Sequence, residues 1–194
     1  MPGRRLDQEF FARPVGDVAA DLLGCVLEVG AAAGVIVEVE RYQQDDPASH
    51  SFRGPTPRAA VMFGPPGRLY VYRSYGMHWC ANVVCEPEGR GAAVLIRALA
   101  PIRGLDLMRG RRGGVADRLL CSGPGRLCEA LGIDGSMNAT VVGGGPVRIL
   151  AGEPVDAVLS GPRIGISAAT DRPWRLGVAG SPHLSRPFPA LAAV

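Results

Sequence analysis

Glu38, Glu40 and Tyr42 set two carboxylates and a phenol at alternate positions of the run Gly34-Val35-Ile36-Val37-Glu38-Val39-Glu40-Arg41-Tyr42. The run is β-branched and reads as a strand, so successive side chains point to opposite faces. Glu38, Glu40 and Tyr42 then share one face, while Val35, Val37 and Val39 supply the apolar one. At about 3.3 Å per residue, Glu40 and Tyr42 lie about 7 Å apart at Cα, close enough for one group to act while the other holds. Between Gly34 and Ala98 the chain adds several tyrosines, an asparagine and an arginine. That inventory suits chemistry on a nucleobase.

The same segment continues through His50 to Leu69-Tyr70-Val71-Tyr72-Arg73-Ser74-Tyr75-Gly76-Met77-His78-Trp79-Cys80-Ala81-Asn82-Val83-Val84. This reads as two strands joined by a tight turn at Tyr75-Gly76. Large aromatics normally go to the core, so a tyrosine beside a turn glycine is either packed under a loop or offered to a partner.

Taken together, Val37-Glu38-Val39-Glu40-Arg41-Tyr42, Leu69-Tyr70-Val71-Tyr72, Tyr75-Gly76-Met77, Asn82, Leu95-Ile96-Arg97-Ala98-Leu99, Cys121-Ser122-Gly123-Pro124 and Leu127-Cys128 resemble the alkyladenine (3-methyladenine) DNA glycosylase family. The order and spacing match from about Phe10 to Ser185. The resemblance implies a monofunctional DNA glycosylase of base excision repair. It would flip an alkylated purine (3-methyladenine, 7-methylguanine, with hypoxanthine and ethenoadenine as further candidates) from duplex DNA and excise it hydrolytically. By the same resemblance Glu40 is the catalytic carboxylate and Arg97 its active-site arginine. Tyr42, His50 and Tyr72 form the base pocket, Asn82 opposes the exocyclic amino group of guanine, and Tyr75 intercalates. Glu38, deeper in the strand, suits a buried hydrogen-bonding role better than catalysis. Three residues or segments depart from the family pattern. Arg41 stands where a small residue is usual, the stretch from Tyr42 to His50 is one residue shorter, and His78 replaces a tyrosine. The first two are expected to adjoin the pocket and the third the DNA face.

Composition bounds these readings independently. The 194 residues carry a formal net charge of +3 and 47% hydrophobic residues, enough for a single domain with its own core. All the basic side chains besides histidine are arginine, a bias a GC-rich genome also produces. Arginine grips phosphate in bidentate fashion, so a basic face can hold DNA despite the low net charge. Without lysine there is no side-chain amine for the Schiff base of a strand-nicking glycosylase. The remaining amine would be that of Pro2, as in the formamidopyrimidine-DNA glycosylases, but Gly3-Arg4-Arg5 lacks that family's pattern. The five cysteines make no C-x-x-C pair and the three histidines are scattered, so no metal and no cofactor are expected. No leader, membrane-length apolar run or lipidation signal is evident, which implies a cytoplasmic protein, nucleoid-associated through DNA, with no membrane contact and a monomeric state.

Two rival readings stand against this one. Glycoside hydrolysis by Glu38 and Glu40 is disfavoured, because adjacent carboxylates on one strand face do not flank a glycosidic bond. A non-catalytic damaged-DNA or RNA binding module is the other, and Glu40 with Arg97 speaks against it.

The elements that must position these residues are expected to form an α+β fold. The chain, 1–194, would be one domain with a curved, mostly antiparallel sheet, short flanking helices and a frayed tail from about 188. A helix is expected over Pro14 to Leu23, a hairpin from Cys25 to Glu40 around Gly30, and strands at Tyr70, Asn82 and Val94. Helices follow at Leu105 to Arg112 and Gly125 to Leu131, then strands at Val147 to Leu150, Arg163 to Ile166 and Arg175 to Val178. The cluster Arg109, Arg111 and Arg112 reads as a solvated helix end rather than a phosphate site.

Overall fold

The computed structural model describes residues 3–189; Pro2 and residues 190–194 of the tail expected to fray lie outside them. The fold is α+β, as expected. In chain order it comprises α1 (Gln8–Phe11), α2 (Val15–Asp21), β1 (Val26–Val29), β2 (Ala32–Tyr42), β3 (Leu69–Ser74), β4 (His78–Val84), β5 (Ala93–Arg103), α3 (Leu105–Arg111), α4 (Pro124–Leu131), β6 (Val147–Leu150), β7 (Val158–Gly161) and β8 (Arg175–Val178). The sheet runs β3-β4-β5-β2-β1-β6, with β8 beside the far half of β2 and β7 beside β8. Every strand pair is antiparallel. No helix among the described residues is long and apolar enough to cross a membrane.

The core lies between one face of this sheet and the helices. Val71 of β3, Ala81 and Val83 of β4, and Val94 and Ile96 of β5 meet Phe11, Val18, Leu22, Leu127 and Leu131 there. Strict alternation then sends Tyr70, Tyr72, Cys80, Asn82, Leu95 and Arg97 to the opposite face. The sequence-expected pattern of β2 needs correction at this point. Its core-facing residues are Ala32, Ile36 and Val39, not the alternating series Val35, Val37 and Val39.

The cause is a pair of bulges. Ile36 pairs with Leu99, Glu38 with Ala98, and Val39 with Ile96, so Val37 is an extra residue on β2 and Arg97 an extra one on β5. An extra residue reverses the side-chain phase and sharpens the local twist. Ile36 therefore faces the core, yet two residues later Glu38 begins the polar face that Glu40 and Tyr42 continue. The same step lets both Ile96 and Leu99 reach the core while Arg97 faces the carboxylates.

The hairpin between β3 and β4 closes through Met77 N–H donating to the Ser74 carbonyl at 2.9 Å. Tyr75 and Gly76 at its tip both have positive φ, 49° and 68°. Such a mirror-image turn matches the twist of its strands, and glycine accepts it at no steric cost, whereas a tyrosine is strained there.

Two further expectations are corrected. Residues 163–166 form no strand, because Arg163 is committed to an ion pair and the Ile164 N–H to a carboxylate; the strand lies earlier, at Val158–Gly161. The short α1, capped by Asp7 Oδ1 accepting from Phe10 N–H at 3.0 Å, was not anticipated. Near the tail, Phe188 is packed, with the Arg175 guanidinium 3.7 Å from its ring centroid.

Candidate active site

The polar face of β2 and β5 forms the floor of a cleft of about 650 Å³, within the range of small-ligand sites. Glu38, Glu40 and Arg97 are buried beneath or within this floor. Arg97 bridges the two carboxylates, with Nε 3.3 Å from Glu38 Oε1 and Nη1 3.2 Å from Glu40 Oε2. Burial works against the charge of Arg97, but Glu40 and Glu38 together outweigh it and hold its pKa above the ordinary arginine value.

The two glutamates differ in how completely they are bonded. Glu38 accepts from Ser185 N–H at 2.5 Å, Ser185 Oγ–H at 2.7 Å and Arg97 Nε, with Arg175 Nη1 at 3.6 Å. Glu40 accepts from Tyr42 O–H and Ile164 N–H, each at 2.8 Å, and forms an ion pair with Arg97 Nη1 at 3.2 Å. A carboxylate offers about four acceptor directions. Glu38 accepts three hydrogen bonds and Glu40 two, so Glu40 is the less completely bonded; it lies behind the cleft-lining Tyr42, Arg97 and Ile164. Burial, reinforced by the Glu40 charge, pushes the Tyr42 hydroxyl far above its usual range, so it remains a donor.

The other sequence-expected residues line the same cleft. His50 Nδ1 is 2.8 Å from the Tyr70 hydroxyl, and its ring stands edge-on to Tyr72 at 4.6 Å between centroids. Burial, and then the Arg58 charge, lowers the His50 pKa, which favours a neutral imidazole. Asn82 is buried and donates Nδ2–H to the Tyr70 carbonyl at 2.9 Å, so it both satisfies the backbone and lines the cleft. Tyr75 is 81% exposed at the cleft rim, beside Met77 at 72%.

Sequence reasoning missed the groups that come from far along the chain. Arg163 and Asp46, both buried, form a bidentate pair that ties the loop carrying His50 to the loop carrying Ile164. The Arg163 guanidinium stands 4.6 Å from the Tyr42 ring centroid and 5.1 Å from that of Trp174, covering one face of Tyr42. Nothing in residues 117 apart signals this contact. Arg41 does not adjoin the pocket as expected. It faces Trp174 at 4.5 Å and sits against Gly16, where a Cβ would lie 2.3 Å from its Nη1. His78 lines the cleft and packs on Gly125, where a Cβ would lie 2.6 Å from the imidazole. The Arg109 and Arg112 guanidiniums are engaged by Asp106, Asp117 and Glu129, while Arg111 bonds the Ala130 carbonyl. The five cysteines are free thiols and buried. Among the described residues no three His, Cys, Asp or Glu side chains group as metal ligands.

Comparison with known proteins gives a consistent result. The model of the family described as methylpurine-DNA glycosylase (MPG) matches residues 9–182. A protein of Nitrobacter winogradskyi is 56% identical over 186 residues, covering 96% of this chain and 89% of the relative. One of Rhodopseudomonas palustris is 56% identical over 187 residues, covering 96% and 91%. One of Nitrosospira multiformis is 59% identical over 174 residues, covering 89% of each. All three carry the name "Putative 3-methyladenine DNA glycosylase".

Two outcomes follow from the geometry. Tyr75→Asn keeps a residue that tolerates positive φ and loses no packing, so the free protein should melt at the same temperature or about 2 °C higher. A fall of several degrees in a calorimetric scan would mean that Tyr75 is packed. For His50, the folded protein binds its proton less readily than the unfolded chain. Stability should therefore drop as pH falls through about 6.5, the unfolded value, and this component should vanish in His50→Gln. Denaturant unfolding of both proteins at about pH 7.5 and 5.5 checks it; a larger loss in the variant would contradict a lowered pKa.

Proposed function

The chain belongs to the methylpurine-DNA glycosylase family, and from that premise we propose that it draws an alkylated purine out of duplex DNA into the cleft, where Glu40 activates the hydrolytic water. As a family member it is a DNA glycosylase, a hydrolase acting on N-glycosyl bonds. The observation that carries the assignment is that Glu40, just behind the cleft-lining Tyr42, Arg97 and Ile164, accepts two hydrogen bonds where Glu38 accepts three.

In this reading the water gives its proton to Glu40 as its oxygen bonds to the anomeric carbon. The electrons of the breaking N-glycosyl bond go to the purine. The Glu40 charge also steadies the oxocarbenium character of the sugar, and Arg97 and Tyr42 keep the carboxylate aimed. An alkylated purine such as 3-methyladenine or 7-methylguanine is cationic and leaves as a neutral base. No general acid is then required, which suits a cleft whose histidine is biased neutral. Hypoxanthine would need a proton it does not readily find here. Tyr42 on one side and His50 with Tyr72 on the other form the aromatic walls, and a cationic base gains about 0.5–2 kcal/mol at such faces over its neutral parent. Asn82, fixed by the Tyr70 carbonyl, crowds the exocyclic amino group of guanine, so 3-methyladenine fits better than 7-methylguanine. Tyr75 enters the minor groove and fills the gap left by the flipped nucleotide.

Glu40→Gln should slow single-turnover base release from methylated duplex DNA at least about 100-fold with little change in affinity. A rate within about tenfold of wild type would remove Glu40 from the mechanism. Product strands should stay intact until treated with alkali, since no lysine is present for a Schiff base. Borohydride trapping of a protein–DNA adduct would overturn this and turn attention to Pro2.

A further inference from the structure

After β8 the chain turns back across the cleft floor, and this return carries Ser185 onto the buried ion pairs. Its backbone N–H and its hydroxyl donate to the two oxygens of Glu38, at 2.5 and 2.7 Å. Arg97 Nη2 in turn reaches Ser185 Oγ at 3.4 Å, and Ser185 lines the cleft. The segment is anchored just beyond. Arg175 Nη2 donates to the Pro187 carbonyl at 3.0 Å, and the Phe188 ring lies under the same guanidinium. Gly177 leaves the space for that ring, since a Cβ there would stand 2.6 Å from Phe188 Cε2. The family match stops at residue 182, short of all of these contacts.

Arg97 lies between two carboxylates that compete for its donors. Without the two Ser185 donors, Glu38 would draw the guanidinium further toward itself and loosen the Nη1 contact to Glu40. We propose that Ser185 is a positioning residue for hydrolysis: by donating to both oxygens of Glu38 it leaves Arg97 Nη1 to Glu40 and so holds Glu40 in register with the cleft. Ser185 acts through Glu38 and Arg97 and does not touch the reacting atoms. The inference rests on Glu40 as the catalytic carboxylate.

The test compares wild type, Ser185→Ala and Ser185→Thr in single-turnover release of 7-methylguanine from methylated duplex DNA, alongside duplex affinity and melting of the free protein. Ser185→Ala should release base at least about tenfold more slowly, with affinity within about twofold and melting lowered by no more than about 8 °C. Ser185→Thr, which keeps the hydroxyl, should recover most of the rate. Should Ser185→Ala not fold, Ser185→Cys retains the volume with a weak donor and should show the same loss. A rate within about twofold of wild type overturns the proposal. So does a loss of rate, affinity and melting temperature together in both Ala and Thr variants, which would make Ser185 merely structural. Wild type that releases no methylated base would instead overturn the reading of Glu40, and this inference with it.

Discussion

Arg97, buried between Glu38 and Glu40 at the floor of the cleft, is the interaction on which the site depends. A guanidinium has a fixed fork of donors, and here different arms go to different carboxylates. The wider network balances. Glu38, Glu40 and Asp46 are matched by Arg97, Arg163 and Arg175, and all six are buried. Desolvating such charges costs several kcal/mol each, and deleting one partner of a buried pair typically costs about 3–5 kcal/mol because the other is left uncompensated. Burial of this kind is weak support for stability in itself. What it secures is orientation, since each buried guanidinium restricts where its carboxylate partner can sit.

The backbone makes that network possible by breaking its own regularity. A straight β2 would place Ile36, Glu38 and Glu40 on one face, and either the core would receive two charges or the cleft would lose them. The extra residues at Val37 and Arg97 separate the apolar half of each strand from its polar half within one turn of the pleat. From there the division of labour between the glutamates follows from bonding alone. The glutamate nearer the bulge accepts three hydrogen bonds, from Ser185 and Arg97, and the one nearer the strand end accepts two. The Asp46–Arg163 pair extends the same logic outward. It fixes the back of Tyr42, the loop that carries His50, and the backbone from which Ile164 reaches Glu40.

Much of this was legible in the chain. The alternation in residues 69–84 placed Tyr70, Tyr72 and Asn82 together, and Tyr75-Gly76 marked the turn whose tip proved open. The shared face of Glu38, Glu40 and Tyr42 was also read correctly, but the apolar face was not. A one-residue bulge leaves no mark in a run of valines and isoleucines, so Val35 and Val37 stood in for Ile36. Contacts between distant loops were invisible for a different reason. Asp46 with Arg163, and Ser185 with Glu38, are ordinary polar residues in Pro- and Gly-rich segments, and only the closed fold makes them neighbours. Arg163 to Ile166 looked like a strand because its apolar residues alternate, yet its backbone and charge are spent on the site.

The most direct test of the central claim, that Glu40 and not Glu38 serves the water, is a crystal structure of Glu40→Gln bound to a duplex carrying one alkylated purine. The account predicts the flipped base between Tyr42 and His50, with Tyr75 in the vacated stack. It also predicts an ordered water between the residue 40 side chain and the anomeric carbon, with Glu38 still bonded to Ser185 and Arg97. A base outside the cleft, or a water held by Glu38 at the anomeric carbon, would contradict it.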